Sequence, residues 1–151
     1  IFGGGMVERV GFPNTWKSGI QKFEPGSIDV ANCLGWSEAC KYIENYGFDK
    51  IETDEKKYSS ILLGVLKKNE NINIVSSERS TSILSFSHSN LHAHDIEELF
   101  SINNIIVRAG HICSQNSIAK FNMKPILRVS FGIGVMDSDL DRLVEVIRGY
   151  L

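Results

Sequence analysis

The chain has 151 residues, with 16 Lys and Arg against 18 Asp and Glu, so its formal net charge is −2. This length fits one domain, and a hydrophobic fraction of 42% with a charged fraction of 23% is typical of a globular protein rather than a disordered one. The near-neutral balance gives no electrostatic footprint for nucleic acid. No apolar run is longer than the three residues at 61–63, whereas a membrane span needs about 20.

The first half of the chain predicts a lead-in followed by two helices. Residues 1–28 should be irregular, because glycines and prolines interrupt any helical or strand period. A first helix should start near Asp29 or Asn32 and end before Gly47. A second should begin at Asp49, with Glu52 placed for a capping box. The predicted apolar faces are Trp36, Ala39, Cys40, Ile43 and Tyr46 on the first helix, and Ile51, Tyr58, Ile61, Leu62 and Val65 on the second.

In the second half of the chain, apolar residues recur at every second position, which is typical of strands. Strands are predicted at 72–74 and 83–86, joined by a polar turn at 76–81, and the β-branched run 105–107 predicts a buried strand. A loop at 109–125 precedes a strand in which Arg128 lies on the face opposite Leu127, Val129 and Phe131. Two more helices are predicted. The first is capped by Asp95, with Ile96, Leu99 and Phe100 facing inward. The last has Ser138 near its N-cap and Asp141 at N3, and its apolar face is Leu140, Leu143, Val144, Ile147 and Leu151.

This order of elements predicts an α+β fold, a small, mostly antiparallel sheet covered by helices. The three cysteines, Cys33, Cys40 and Cys113, form no C-x-x-C pair, which argues against a disulfide scaffold and a four-thiolate zinc site. We expect Cys33 and Cys40 to be packing residues of the first helix. The chain opens on Ile1 with no initiator Met and no signal peptide, so we expect it to continue from a longer, cytoplasmic protein.

The residues best suited to catalysis lie at 107–116, where Arg108, Gly110, His111 and Cys113 follow a predicted strand. The thiolate is the nucleophilic form of cysteine, and a nearby Arg or protonated His favours it. Composition alone leaves open whether Cys113 is a nucleophile or a bystander. Arg128 can clamp a carboxylate with its planar fork, or it can be a surface arginine paired with an acidic neighbour.

Metal and phosphate sites have weaker support in the sequence. His92 and His94 could be combined with His111 and Cys113, but their spacing matches no recognised ligand set, so we expect no metal. The glycine run at 3–5 is not followed by a phosphate-loop pattern.

Five segments, in order and spacing, resemble the C-terminal part of class V aminotransferase-fold enzymes, specifically cysteine desulfurases and selenocysteine lyases. The segment F-G-G-G-M at 2–6 is similar to the glycine-rich stretch after the cofactor lysine, and F-E-P-G-S at 23–27 to the family's F-E-x-G-[TS] loop. The segment H-D-I at 94–96 resembles its H-D-[IV] helix start. R-A-G-H-I-C at 108–113 resembles R-[AT]-G-H-H-C, and R-V-S-F at 128–131 resembles R-A-S-[FL].

The resemblance implies a function and a role for each matching residue. The family binds L-cysteine or selenocysteine on pyridoxal phosphate, which serves as an electron sink. Cys113 would be the nucleophile that takes the sulfur as a persulfide for an acceptor or scaffold protein, in support of iron–sulfur cluster assembly. Arg128 would bind the substrate carboxylate with Arg108 nearby, and His111 would support the thiol. Ser27 would reach the cofactor phosphate of the partner subunit in a homodimer.

The resemblance also implies what this chain should lack. The family's cofactor lysine, the acidic partner of the pyridine nitrogen and the ring-stacking histidine precede the matching region. We therefore expect 29–151 to be the C-terminal small domain, 1–28 to continue from a large domain, and the chain alone to be inactive. Departures from the family pattern are Ile112 for the second His, Ile28 for a Pro, and Gly134-Val135-Met136 for Tyr-Asn-Thr.

Three other functions stay open from the sequence. One is another class V aminotransferase in which Cys113 is incidental, and a second is a stand-alone sulfur-carrier or partner-binding module. The third, a Cys–His hydrolase, has no third orienting residue that can be named.

Overall fold

The computed structural model describes residues 3–77, 79–80 and 82–151. The helices and strands in chain order are β1 (Val7–Arg9), β2 (Thr15–Trp16), α1 (Val30–Tyr46), α2 (Phe48–Leu66), β3 (Ile72–Ile74), β4 (Ile83–His88), α3 (Ala93–Ile102), β5 (Arg108–Gly110), α4 (Gln115–Lys120), β6 (Ile126–Ser130) and α5 (Asp137–Tyr150), with a short 3₁₀ helix at Gly19–Phe23. The chain divides into two compact units, one ending at Asn45 and the other running from Tyr46 to Leu151. The predicted division after residue 28 stays a prediction.

The first unit contains the β1–β2 antiparallel pair and helix α1. The predicted start of α1 is confirmed, since Asp29 Oδ1 accepts a hydrogen bond of 3.1 Å from the Asn32 amide. The predicted packing is wrong, because α1 has no buried residue and Cys33 and Cys40 are both exposed. Helical spacing of apolar residues predicts that they share a face, but it does not supply the surface that would cover that face.

The second unit is built on a four-stranded antiparallel sheet of order β3-β4-β6-β5. The predicted α+β class is confirmed. Strands β3, β4 and β6 lie where the period-two pattern predicts them. The predicted turn at 76–81 includes Glu78 and Thr81, which lie outside the described residues.

One face of this sheet forms the hydrophobic core with buried residues of α2, α3 and α5. Its largest fully buried side chains are Phe86, Phe100, Leu62, Leu66, Leu84, Ile96 and Leu127. The departure from the family pattern at 134–136 borders this core, because the buried Tyr58 donates its hydroxyl to the Val135 carbonyl at 3.1 Å. On the predicted stripe of α2, Ile61 is an exception, since it is exposed.

The predicted strand at 105–107 is wrong, because the strand of this region, β5, lies three residues later. The ladder to β6 begins at Arg108 instead, and Ile106 is 98% exposed. Ile105 and Val107 are partly buried and pack against the core from an irregular segment, so their apolar character indicates burial but not pairing. The predicted loop at 109–125 contains the end of β5 and helix α4.

At three helix starts, one predicted position is also wrong by two or three residues. Helix α2 starts after Gly47 without a side-chain cap, so the capping box with Glu52 is absent. Helix α3 is capped by His92 rather than Asp95. The N-cap of helix α5 is Met136, whose amide donates to Asp139 Oδ2 at 2.9 Å, so Ser138 lies near the cap as predicted, but N3 is Asp139 rather than Asp141. Each start has several polar side chains at neighbouring positions, and backbone geometry selects among them. Among the described residues, no helix is long and apolar enough to cross a membrane.

Candidate active site

The sheet places Arg108 and Arg128 side by side. The two residues are register partners across β5 and β6, and Ser85 of β4 is the register partner of Arg128 on the other side. Partners across antiparallel strands share a face, with Cα atoms about 4.5–5.5 Å apart. All three residues therefore lie on the face opposite Leu127 and the core, as the alternation in the sequence predicts for Arg128.

Arg108 and Arg128, hereafter the arginine pair, are arranged to attract an anion. Like charges directly opposite each other on a sheet repel. Among the described residues, neither guanidinium forms an ion pair with a carboxylate, and the buried Nε of Arg128 has no hydrogen-bond partner. An incoming carboxylate would relieve the repulsion and supply acceptors for both forks.

Cys113 is exposed and lies in a turn directly after β5. The turn is closed by a hydrogen bond of 2.8 Å from the Ser114 amide to the His111 carbonyl, and α4 begins at Gln115. Because Cys113 lies five positions after Arg108, their Cα atoms are at most about 18 Å apart. His111, two positions before Cys113 in the same turn, is also exposed.

Glu97 joins helix α3 to the strand that leads to Cys113, and the sequence analysis did not identify it. Its Oε1 accepts from the Ala109 amide at 3.2 Å, and its Oε2 lies 3.1 Å from Nδ1 of His94. The hydrogen bond to His94 holds the pKa of the Glu97 carboxyl below its usual range, aided by the Ala109 amide and the positive charge of Arg108. The spacing of His94 and Glu97, three residues apart at a helix start, is the signal that could have identified this pair.

The imidazole of His94 lies against the end of β5. A Cβ added to Gly110 would sit 3.7 Å from both Cε1 and Nε2 of that ring, and Gly110 has a φ of +110° that only glycine adopts readily. The ring of His92 lies 5.4 Å from that of His94. Among the described residues, no three His, Cys, Asp or Glu side chains are grouped to hold a metal ion.

Ser27 belongs to the first unit, in a loop that contacts the glycine run. The Gly26 amide donates to the Gly4 carbonyl at 2.7 Å, and a Cβ added to Gly3 would meet Pro25 at 3.0 Å. The structure therefore brings together two of the segments on which the family resemblance rests, although Phe2 lies outside the described residues. Ser27 itself is exposed.

A family model described as aminotransferase class-V matches residues 1–143. The chain belongs to this family. A probable cysteine desulfurase of Halalkalibacterium halodurans is 30% identical over 145 residues, which are 95% of this chain and 36% of that protein. The chain thus spans about a third of the length of the curated relatives that it matches.

Solved structures agree with this assignment to the class V family. The crystal structure of a cysteine desulfurase from Escherichia coli, in an S-sulfonic acid form, superposes with a TM-score of 0.89 and 27% identity over 99% of this chain and 37% of that one. A C-DES mutant with glycine covalently linked to its PLP cofactor shares the fold, with a TM-score of 0.72 and 15% identity over 96% of this chain and 36% of that one. The predicted resemblance to class V enzymes is confirmed.

Proposed function

We propose that this chain supplies the nucleophile and the carboxylate-binding face of a pyridoxal-phosphate-dependent cysteine desulfurase. The observation that carries the proposal is the arginine pair, which has no ion-pair partner among the described residues and whose Arg108 lies on the strand that leads directly to the exposed Cys113. The substrate L-cysteine has a carboxylate that the arginine pair would bind. It also has a sulfur atom that the Cys113 thiol would reach. The names of the relatives support the same activity.

Arg128 would bind the substrate carboxylate, with Arg108 as the second positive group. Its guanidinium matches a carboxylate with two parallel hydrogen bonds, a geometry that fixes orientation as well as charge. Arg128 lies on a strand with a hydrogen-bonded neighbour on each side. This position holds the substrate carboxylate at a fixed place while the other end of the molecule reacts.

Cys113 would act as the nucleophile toward the substrate sulfur. The thiolate sulfur attacks, so that a sulfur–sulfur bond forms while the carbon–sulfur bond of the substrate breaks, leaving alanine after protonation and a persulfide on Cys113. This covalent step divides the sulfur transfer into two easier reactions. The exposed position of Cys113 suits the second one, delivery to an acceptor or scaffold protein for iron–sulfur cluster assembly. His111, exposed in the same turn, would favour the thiolate when protonated.

The residues present fit the periphery of a pyridoxal phosphate site. A Cβ added to Gly3 would meet Pro25 at 3.0 Å, so the loop of Ser27 packs closely against this glycine, and its serine hydroxyl would bind the phosphate of the cofactor in a partner subunit. The free Nε of Arg128 fits the carboxylate of a substrate carried by the cofactor. When bound, pyridoxal phosphate supplies the electron sink for breaking bonds at the substrate. We propose that a large domain supplies the lysine, and that this chain alone is inactive.

The test uses the longer protein that carries this chain, loaded with pyridoxal phosphate. Release of alanine and sulfide is measured from L-cysteine, and in parallel with selenocysteine. Cys113→Ser should abolish sulfide release, whereas Cys40→Ser, at another exposed thiol, should leave it unchanged. Full activity of Cys113→Ser would make the cysteine incidental and refute its role as the nucleophile, and no sulfide release by the unmodified protein would favour another class V enzyme. Persulfide accepted by the chain alone from another protein would assign it to a sulfur carrier.

Arg128 is tested in the same assay. Arg128→Ala removes a charged hydrogen-bonded pair and should raise KM for L-cysteine roughly 10- to 100-fold. Arg128→Lys keeps the charge without the fork and should recover only part of the loss. An unchanged KM in Arg128→Ala would refute its role with the carboxylate.

A further inference from the structure

The turn that carries Cys113 has the mirror image of the common backbone conformation. Its central residues, Ile112 and Cys113, have φ angles of +49° and +55°, and the Ser114 amide closes it on the His111 carbonyl at 2.8 Å. Turns with positive φ at both central positions are dominated by glycine, asparagine and aspartate. A β-branched residue such as isoleucine is among the least suited to this conformation.

The rest of the chain follows the usual preference. Among the described residues, all other positive φ angles belong to asparagine or glycine, namely Asn104, Asn122, Gly5, Gly19, Gly26, Gly47, Gly110 and Gly134. In the part of the chain that the structure describes, only Ile112 and Cys113 have a positive φ that their side chains disfavour. Strain concentrated at one turn, next to a nucleophile, is the pattern expected where function requires a particular backbone.

Both ends of the turn are fixed by neighbouring structure. Before it, Gly110 is the register partner of Ile126 in the sheet. After it, the Ser114 carbonyl accepts from the Ile118 amide at 3.0 Å in the first turn of α4, and Ile118 is buried. Between these anchors Ile112 is half-buried and Cys113 is exposed. Reversing the hand of the turn would direct both side chains to the other side of the chain, since mirror-image turns project them oppositely.

We propose that the left-handed backbone at Ile112 positions Cys113 and aims its thiol outward. The proposal rests on the proposed function for the role of Cys113 as nucleophile. The strand before the turn and helix α4 after it hold the turn in the left-handed conformation, which isoleucine disfavours. The backbone conformation, rather than the isoleucine side chain, directs the thiol.

The test uses the 151-residue chain with Cys33→Ser and Cys40→Ser, which leaves Cys113 as the single thiol. Ile112→Asn accepts the left-handed backbone at lower cost, so the unfolding equilibrium constant should fall by roughly fivefold or more. Its rate of alkylation by iodoacetamide should stay within about twofold of the parent, because the thiol keeps its direction. The reciprocal control, Asn104→Ile, places a β-branched residue at a φ of +56° eight positions before Ile112 and outside the turn, and should destabilise without changing the alkylation rate.

Ile112→Pro tests the positioning role itself. Proline fixes φ near about −65° and so excludes the left-handed turn. The alkylation rate should fall at least roughly tenfold while far-UV circular dichroism stays that of the parent. In the longer protein, kcat should fall with little change in KM, since the arginine pair is untouched.

Each result decides the proposal. It is overturned if Ile112→Asn is no more stable than the parent while Asn104→Ile is destabilised, or if a folded Ile112→Pro reacts as fast as the parent. If Ile112→Pro unfolds, the stability and alkylation of Ile112→Asn decide alone. The stability and alkylation measurements need neither cofactor nor turnover, unlike the kcat measurement, so a failure of the desulfurase assay would leave them intact and is distinguishable from a failure here.

Discussion

Removing the Glu97 carboxylate should loosen the strand that carries Arg108 and leads to Cys113. Glu97→Ala deletes the bond to the Ala109 amide at 3.2 Å and the contact with His94 at 3.1 Å. A hydrogen bond to a charged group contributes about 1.5–3 kcal/mol, and an exposed ion pair about 0.2–1 kcal/mol. Because the Glu97 side chain is 37% exposed, solvent screening reduces both contributions. We expect a loss of about 1–2 kcal/mol in the free energy of unfolding.

The measurement is urea unfolding followed by far-UV circular dichroism, because both tryptophans, Trp16 and Trp36, lie outside the unit that contains Glu97. Glu97→Gln keeps an acceptor for the Ala109 amide and should cost less than Glu97→Ala. Glu98→Ala makes the same change at the next, exposed position of α3 and should be near neutral. The depressed pKa of Glu97 means that its contribution is present above the unfolded-state pKa of the carboxyl and is lost as the pH falls through the lower folded-state value. Equal stabilities of Glu97→Ala and Glu98→Ala would refute the reasoning.

Three further predictions concern the core, the response to acid and the arginine face. Phe86→Ala empties a fully buried position and should cost about 3–5 kcal/mol in urea unfolding, against no more than about 0.5 kcal/mol for Ile106→Ala on the surface. The hydrogen bond from Lys57 lowers the pKa of Asp137, so the contribution of Asp137 to the free energy of unfolding is lost as the pH falls through its folded-state pKa. Asp137→Asn removes this contribution and should make stability fall less steeply at acid pH. Ser85→Glu should place a carboxylate beside the arginine pair and raise KM for L-cysteine in the longer protein, whereas Ser85→Gln should not.

Contradictory outcomes are specific to each of these variants. Equal losses for Phe86→Ala and Ile106→Ala would mean that β4 does not hold the core. Parallel acid profiles for Asp137→Asn and the parent would exclude the Lys57 contact as a source of acid sensitivity. An unchanged KM for Ser85→Glu would place the substrate carboxylate away from the arginine face.

The sequence predicted the elements whose pattern is set locally. The alternation at 127–131 correctly placed Arg128 opposite the core, because side-chain direction in a strand depends only on position. The strand at Arg108–Gly110 was missed, because its residues are poor strand formers and its pairing comes from backbone hydrogen bonds to β6. The apolar, β-branched run at 105–107 was predicted as the strand instead, although it is an irregular segment that is partly buried against the core.

The candidate site shows the same limit at the level of side chains. Motif order indicated Cys113 and both arginines, but the register that makes Arg108 and Arg128 neighbours exists only in the folded sheet. The contact of Glu97 with Ala109 joins residues twelve positions apart and depends on how α3 packs. The left-handed turn at Ile112 contradicts its local preference, so a local rule predicts the opposite hand.

The fold holds the two halves of the candidate site with different firmness, and this difference has a kinetic consequence. Arg128 lies on a strand that is paired on both sides, whereas Cys113 lies in an exposed turn held only at its ends. A group that binds the substrate carboxylate needs one fixed position, but a sulfur that must meet first a substrate and then an acceptor needs exposure. Changes on the sheet should therefore act on KM, and changes in the turn on kcat. A variant of the turn that raised KM alone would contradict this division.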